Sequence, residues 1–180
     1  MGKRSDFKRR PQDKYRTFDP RAAQALAPHL PWGCKFWEPC AGGADLIKTL
    51  QPFGPQCVVA TDINPECEGV YRLDALTVTR EDVDATGVSH IITNPVWTRP
   101  IMHAMIEHFA QMRPTWLLFD ADWVHTHHAH KYGPWLQCVV SVGRLCWIEG
   151  TGVTGKDNVA WHLFDARHEG LTTFHMRAIS

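Results

Sequence analysis

No two of the six cysteines in this 180-residue chain are spaced C-x-x-C. Cys34, Cys40, Cys57, Cys67, Cys138 and Cys146 are scattered, several of them inside apolar runs. Buried free thiols in a reducing compartment account for them better than disulfides or zinc, so no metal is expected. No apolar run approaches the ~20 residues that span a bilayer. The first residues are charged and polar, without the apolar core of a secretory signal, so a cytoplasmic address and no membrane partner are expected. There is no G-x-G-x-x-G and no G-x-x-x-x-G-K-[ST], which argues against a dinucleotide or a nucleoside triphosphate as ligand. Internal repeats and low-complexity tracts are absent as well. With 44% hydrophobic and 21% charged residues, the composition is that of a globular domain able to bury a core.

The net charge is zero, but its distribution is uneven. Residues 1–21 hold eight Lys or Arg against Asp6, Asp13 and Asp19, a net of +5, which leaves −5 on the rest. A basic arm on an acidic body suits phosphate contact through Lys8, Arg9 and Arg10; the competing reading is a solvated terminus.

Along the chain, strand and helix patterns alternate. Strands are expected at Lys35–Glu38, Gln56–Thr61, His90–Thr93 and Trp116–Phe119. Later ones are expected at Cys138–Val142, Arg144–Ile148, Val159–Phe164 and Thr172–Met176. Ala44–Gln51 reads as a helix stopped by Pro52 and Gly54. Pro100–Met112 reads as an amphipathic helix, with Ile101, Met102, Met105, Ile106 and Phe109 on one face. Asp19 followed by Pro20 has the form of a helix N-cap and first turn. Strands that first alternate with helices and then cluster predict a mostly parallel sheet with an antiparallel C-terminal edge.

Two segments carry chemistry. The first is Glu38-Pro39-Cys40-Ala41-Gly42-Gly43-Ala44-Asp45, between a strand and a helix. Small residues there let backbone approach a ligand. About twenty residues later the next strand ends in Thr61-Asp62-Ile63-Asn64. A carboxylate at that place accepts hydrogen bonds from ribose hydroxyls. The plain alternative is a structural turn beside a loop aspartate. The second segment, Thr93-Asn94-Pro95-Val96-Trp97, places a polar residue, a proline and an aromatic just past a strand. An exocyclic amine is a poor nucleophile because its lone pair is delocalised. The Asn94 side-chain oxygen and the Pro95 carbonyl can accept its N–H bonds, and Trp97 can stack on a flipped base. Positioning and electrostatics then suffice.

The first segment resembles the E-P-x-x-G-x-G motif of class I S-adenosylmethionine-dependent methyltransferases, with Ala44 at the last glycine. The second resembles the [DNS]-P-P-[YFW] motif of the amino-methyltransferases, with Val96 at the second proline. Tyr15-Arg16-Thr17 resembles a Y-x-T-P element that lines the cofactor pocket, with Phe18 in place of the proline. Residues 142–148 and 155–165 resemble the C-terminal half of small phage- and prophage-encoded DNA adenine methyltransferases.

The resemblance implies an α/β, Rossmann-like three-layer methyltransferase fold. Residues 1–18 would form a basic arm with a cofactor-proximal segment, and residues 19–180 a single catalytic domain. It implies S-adenosyl-L-methionine as cofactor, held by Tyr15, Thr17, Glu38, Pro39, Cys40, Ala41, Gly42, Asp62, Ile63 and Asn94, with Asp74 on the adenine amino group. It implies catalysis at Asn94, Pro95 and Trp97, and nucleic acid as partner, DNA in preference to RNA, in a host cytoplasm if phage-encoded. Methylation of RNA, of cytosine or of a protein glutamine amide, and a catalytically inactive cofactor-binding module, are the alternatives. The segment 120–135 holds four histidines within six residues. It reads as a flexible lid or substrate loop, with Lys131 on phosphates and Trp123 or Trp135 on bases. Oligomeric state leaves no signal.

Overall fold

The computed structural model describes residues 15–177, so Lys8, Arg9 and Arg10 lie outside the described residues. Eight strands form one sheet: β1 Lys35–Glu38, β2 Gln56–Asp62, β3 Tyr71–Arg72, β4 His90–Thr93, β5 Thr115–Asp120, β6 Leu136–Gly143, β7 Val159–Phe164 and β8 Thr173–His175. Their order is β3-β2-β1-β4-β5-β7-β6-β8. The first five are mutually parallel, and β7 runs antiparallel to both β5 and β6. The antiparallel element is thus a strand inserted between β5 and β6, while the outermost β8 is parallel to β6.

The central strands are apolar without alternation because both faces are covered. Every residue of β7 is buried, and so are the first five of β5. On β1, Phe36 packs with α1 (Pro20–Leu26) and α2 (Asp45–Leu50), whereas Trp37 faces α3 (Arg80–Thr86) and α4 (Arg99–Ala110). Asp19 caps α1 as its sequence suggests, accepting from the Arg21 N–H. The indole N–H of buried Trp161 reaches across to the Ala22 carbonyl at 2.8 Å and ties α1 to the sheet. On α4, Met102, Met105, Ile106 and Phe109 are buried as expected and are core residues, while Ile101 is exposed.

Several elements differ from the sequence reading, among them the two-residue strand β3, which has no counterpart there. Arg144–Ile148 is not a strand but a loop with one isolated bridge, Cys146 to Thr154. Leu145 and Trp147 are buried and their neighbours are not, so two separate anchors imitate a strand's period of two. Gly143, at φ +91°, turns the chain out of β6, and the Cys146 N–H goes to Asp19 at 2.9 Å instead of to a ladder. The helix α3, short and largely polar, has no counterpart there either, and is set by a capping box: Thr79 and Asp82 satisfy each other's backbone N–H.

Sheet order fixes where a ligand can sit. From β1 the chain builds outward to β2 and β3 on one side, then crosses to β4 and β5 on the other. At such a switch point the loops leaving the strand ends diverge and open a crevice.

Candidate functional site

The crevice is an open cleft of about 310 Å³ beyond the ends of β1, β2 and β4. One wall is the loop from Glu38 to α2. Its backbone turns through Gly42 at φ +50° and Ala44 at φ +60°, the latter being the one non-glycine residue with positive φ among the described residues. The Gly42 N–H donates to Asp62 Oδ2 at 2.8 Å, and the Asn64 N–H donates to Asp62 Oδ1 at 2.7 Å. One carboxylate at the end of β2 is therefore oriented through both oxygens. It keeps about two further acceptor positions, since a carboxylate has roughly four.

Behind the loop, Glu38 is 2% exposed, and its Oε2 has no hydrogen-bond partner among the described residues. Burial, with the nearby Asp45 and Asp62 carboxylates, raises its pKa well above the usual range. Asp45 is gripped by the Arg16 guanidinium through both oxygens, one at 2.8 Å. Burial pushes the Cys40 thiol, which also lines the cleft, up to about 12. It is an inert wall residue, since the nucleophilic form is the thiolate.

The opposite wall follows β4. The Asn94 amide nitrogen donates to the Tyr15 carbonyl at 2.9 Å and to Thr17 Oγ1 at 3.0 Å. Its oxygen accepts the Trp97 indole N–H at 3.0 Å. A carbonyl can only accept and an indole N–H can only donate, so these partners fix which end of the amide is which. Trp97 is also shared with the Leu118 carbonyl at 3.2 Å. Tyr15 stacks on it with ring centroids 5.4 Å apart and 10° between planes, and Trp147 meets both edge-on.

Most of the residues singled out in the sequence meet here. Tyr15, Thr17, Glu38, Cys40, Ala41 and Gly42 line the cleft from the loop side, and Asp62, Asn94, Pro95 and Trp97 from the strand ends. Pro39, Ile63 and Asp74 are not among its lining residues. Ile63 is 60% exposed beside it, and Asp74 caps the 3-10 helix Ala75–Thr77 by accepting the Leu76 N–H at 3.0 Å. Sequence reasoning missed the Arg16–Asp45 pair and Trp147. Arg16 was legible as the basic residue inside the Tyr15–Thr17 element, whereas Trp147 sat in a segment read as a strand.

The histidine-rich segment is not a free loop. It folds into two 3-10 helices, Ala121–His125 and His127–Trp135, with Trp123 and Tyr132 buried beneath them. Trp123 donates to His103 Nε2 at 3.1 Å and packs against Phe119, so it has no face left for a base. Lys131 pairs with Glu107 on α4, on which the Tyr132 hydroxyl also donates at 2.7 Å.

No family model matches the sequence, and no curated protein matches it at the sequence level. Solved structures do match in fold. A type I restriction-modification methyltransferase subunit from Streptococcus thermophilus aligns over 93% of this chain at TM-score 0.55 and 8% identity, and the chain spans 47% of that protein. An RNA methyltransferase candidate from Pyrococcus horikoshii aligns over 81% at TM-score 0.52 and 13% identity, with 80% of its own length covered. The M protein of the type I restriction enzyme EcoKI aligns over 84% at TM-score 0.51 and 11% identity, with 44% of its length covered. Strand order, the inserted antiparallel β7 and these likenesses together give the chain the Rossmann-like fold of the class I S-adenosylmethionine-dependent methyltransferases.

Proposed function

We propose that this chain transfers a methyl group from S-adenosyl-L-methionine to the exocyclic amino group of adenine in nucleic acid, DNA in preference to RNA. One observation carries the reading. The Gly42–Asp62 hydrogen bond and the Asn94-Pro95 turn face one cleft at the switch point of this fold. The type I subunits among the fold neighbours favour DNA; the archaeal neighbour keeps RNA as the competing substrate.

The residues present fit the cofactor. Asp62, oriented by two backbone N–H groups, would hold the ribose hydroxyls with its remaining lone pairs. The orphaned oxygen of Glu38 is a buried polar group in want of a partner, which an amino-acid ammonium supplies. Asp74 uses Oδ1 to cap Leu76, which leaves its Oδ2 for an adenine amino group. When bound, the cofactor supplies an electrophilic methyl group on a sulfonium.

The chain's own residues then position the acceptor. The lone pair that Trp97 leaves on the Asn94 oxygen, together with the Pro95 carbonyl, takes the two N–H bonds of the amine and draws its lone pair out of the ring. Tyr15, 38% exposed and stacked on Trp97, gives the target base an aromatic platform, so the stacking role belongs to the pair. No strong base is required, because the proton leaves after the nitrogen has become cationic.

A second reading rests on the same turn. Asn94 already makes three hydrogen bonds, and Val96 stands where a second proline is usual, so a cofactor-binding module without transfer uses the same contacts. Labelled S-adenosylmethionine incubated in parallel with DNA, RNA and protein separates these. Label in the N6 position of adenine in DNA is the expected result. Label in RNA or protein replaces the substrate, and binding without transfer selects the module.

A further inference from the structure

At the far end of the sheet from the cleft, three side chains from distant segments converge. His29 ends the 3-10 helix that follows α1, Cys138 lies near the start of β6, and His175 closes β8. One ligand atom from each lies within 4.8 Å of the other two, and the imidazole centroids are 4.4 Å apart. Cys138 pairs with Leu163 of β7, which pairs with Trp116 at the start of β5. The cleft lies beyond the opposite ends of the strands, at Glu38, Asp62 and Asn94. The cluster is therefore separate from the proposed active site.

We infer that His29, Cys138 and His175 form a structural site for a borderline-soft divalent cation, zinc being the ion best suited, that fastens β8 to the body of the fold. The donor set decides the class of ion. Two imidazoles and a thiolate favour zinc and its neighbours over magnesium or calcium, which take oxygen ligands. The geometry is close to what zinc needs. Tetrahedral zinc, at about 2.0–2.1 Å from nitrogen and 2.3 Å from sulfur, sets its ligand atoms roughly 3.4–3.7 Å apart. Closing from 4.8 Å brings the ligand atoms together by up to about 1.4 Å, and the exposed His175 on a three-residue edge strand can make that movement. Binding replaces the thiol proton of Cys138 by the ion and releases that proton to solvent. The fourth position falls to water.

The site has a mechanical reason to exist. All three residues of β8 are exposed, and the strand is hydrogen-bonded only to β6 in the sheet. Hydroxyl contacts from Thr172 to the Leu136 carbonyl and from Thr173 to the Gln137 carbonyl add to the ladder but bury no apolar surface. An ion held jointly by β8, β6 and the end of α1's 3-10 extension fastens the weakly tied β8 to two segments that are already packed into the core. Such binding stabilises the folded state by mass action.

The test uses the full chain after treatment with a chelator, titrated with cobalt(II) and then zinc(II). The expected result is one cobalt per chain with a thiolate-to-cobalt charge-transfer band, removed when zinc is added. Cys138→Ser should abolish the band. His175→Ala, at an exposed position that folding tolerates, should weaken binding at least about tenfold and remove the rise in melting temperature that zinc gives the parent chain. A double variant, His127→Ala with His128→Ala, should change neither, because the histidine-rich segment has no cysteine. Absence of the charge-transfer band in the parent chain overturns the proposal, as does a band that survives Cys138→Ser. Metal uptake lost only in the His127/His128 variant assigns the ion to the other segment and also overturns it.

Discussion

At the scale of single residues, Asn94 is where the fold changes the expectation. From its motif alone it is an acceptor for the target amine, and its loss should touch the chemical step only. Its amide nitrogen, however, holds the Tyr15 carbonyl and Thr17, both of which line the cleft. Asn94→Ala should therefore cost on the order of 10²–10³ in transfer rate, by analogy with losing one preorganised oxyanion-hole donor, and should weaken cofactor binding as well. Asn94→Asp keeps the acceptor but sets a carboxylate oxygen against the Tyr15 carbonyl, so cofactor affinity should fall at least as far. Isothermal titration with the cofactor beside single-turnover transfer separates the two effects; unchanged affinity in both variants would detach Asn94 from the 15–17 segment. Asp62 gives a simpler case. S-adenosylmethionine should raise the melting temperature of the parent chain and leave that of Asp62→Ala unmoved, because a ligand that binds only the folded state stabilises by mass action. Equal shifts would take Asp62 out of the site.

At the scale of elements, Ala44 tests how well a motif transfers to a backbone. It occupies the last glycine position of the loop motif and adopts the left-handed φ of 60° that glycine takes freely, directly before α2. A left-handed conformation costs a non-glycine residue roughly 1–2 kcal/mol. Ala44→Gly should therefore raise stability by about 1 kcal/mol in denaturant unfolding while leaving cofactor affinity unchanged; a loss of stability would mean that the methyl group's packing outweighs its strain. The same loop shows what was legible. Small residues and a carboxylate at a strand end have a local signature, so the Gly42 turn and Asp62, and strands β1, β2, β4, β5, β6, β7 and β8, could be read directly; that the Gly42 N–H bonds Asp62 itself is seen only in the fold. The Arg16–Asp45 pair and the Tyr15–Trp97–Trp147 cluster join remote segments and have no such signature. Leu145 and Trp147 misled because buried anchors two residues apart look alike whether or not a ladder holds them. Placing Trp123 on a base failed for a related reason: an aromatic beside polar histidines looked exposed, whereas the 3-10 turns carry it inward.

At the scale of the whole molecule, charge and protons govern behaviour. If the arm meets phosphates, removing residues 1–12 deletes Lys3, Arg4, Lys8, Arg9 and Arg10. Each lost contact on duplex DNA should flatten the log–log salt dependence of binding by about 0.9, and an unchanged slope would leave the arm out of the interface. The response to acid follows from the core. His162 lies on β7, wholly buried, with its ring stacked on Phe119 at 4.0 Å. Burial pushes its pKa from 6.5 to about 3, so the folded chain keeps it neutral where the unfolded chain would protonate it. The unfolded state therefore binds the extra proton as the pH falls below 6.5, and stability drops by about 1.4 kcal/mol per unit until the folded pKa is reached. Asp19 adds to the loss. Despite its burial, Arg21 and the Cys146 N–H hold it below the usual carboxylate range, so its contribution disappears as acid protonates it. Glu38 acts in the opposite sense. Burial raises its pKa, so its cost falls on the folded state as the pH rises above 4.5, and Glu38→Gln should stabilise the chain at neutral pH. His162→Phe retains a flat ring among aromatic neighbours and has no proton to gain. Denaturant midpoints taken from pH 7 down to pH 4 should fall more steeply for the parent chain than for His162→Phe. Parallel curves would show that no proton is gained at this position on unfolding, and that acid lability comes from the carboxylates and from other histidines whose pKa burial lowers, such as His90.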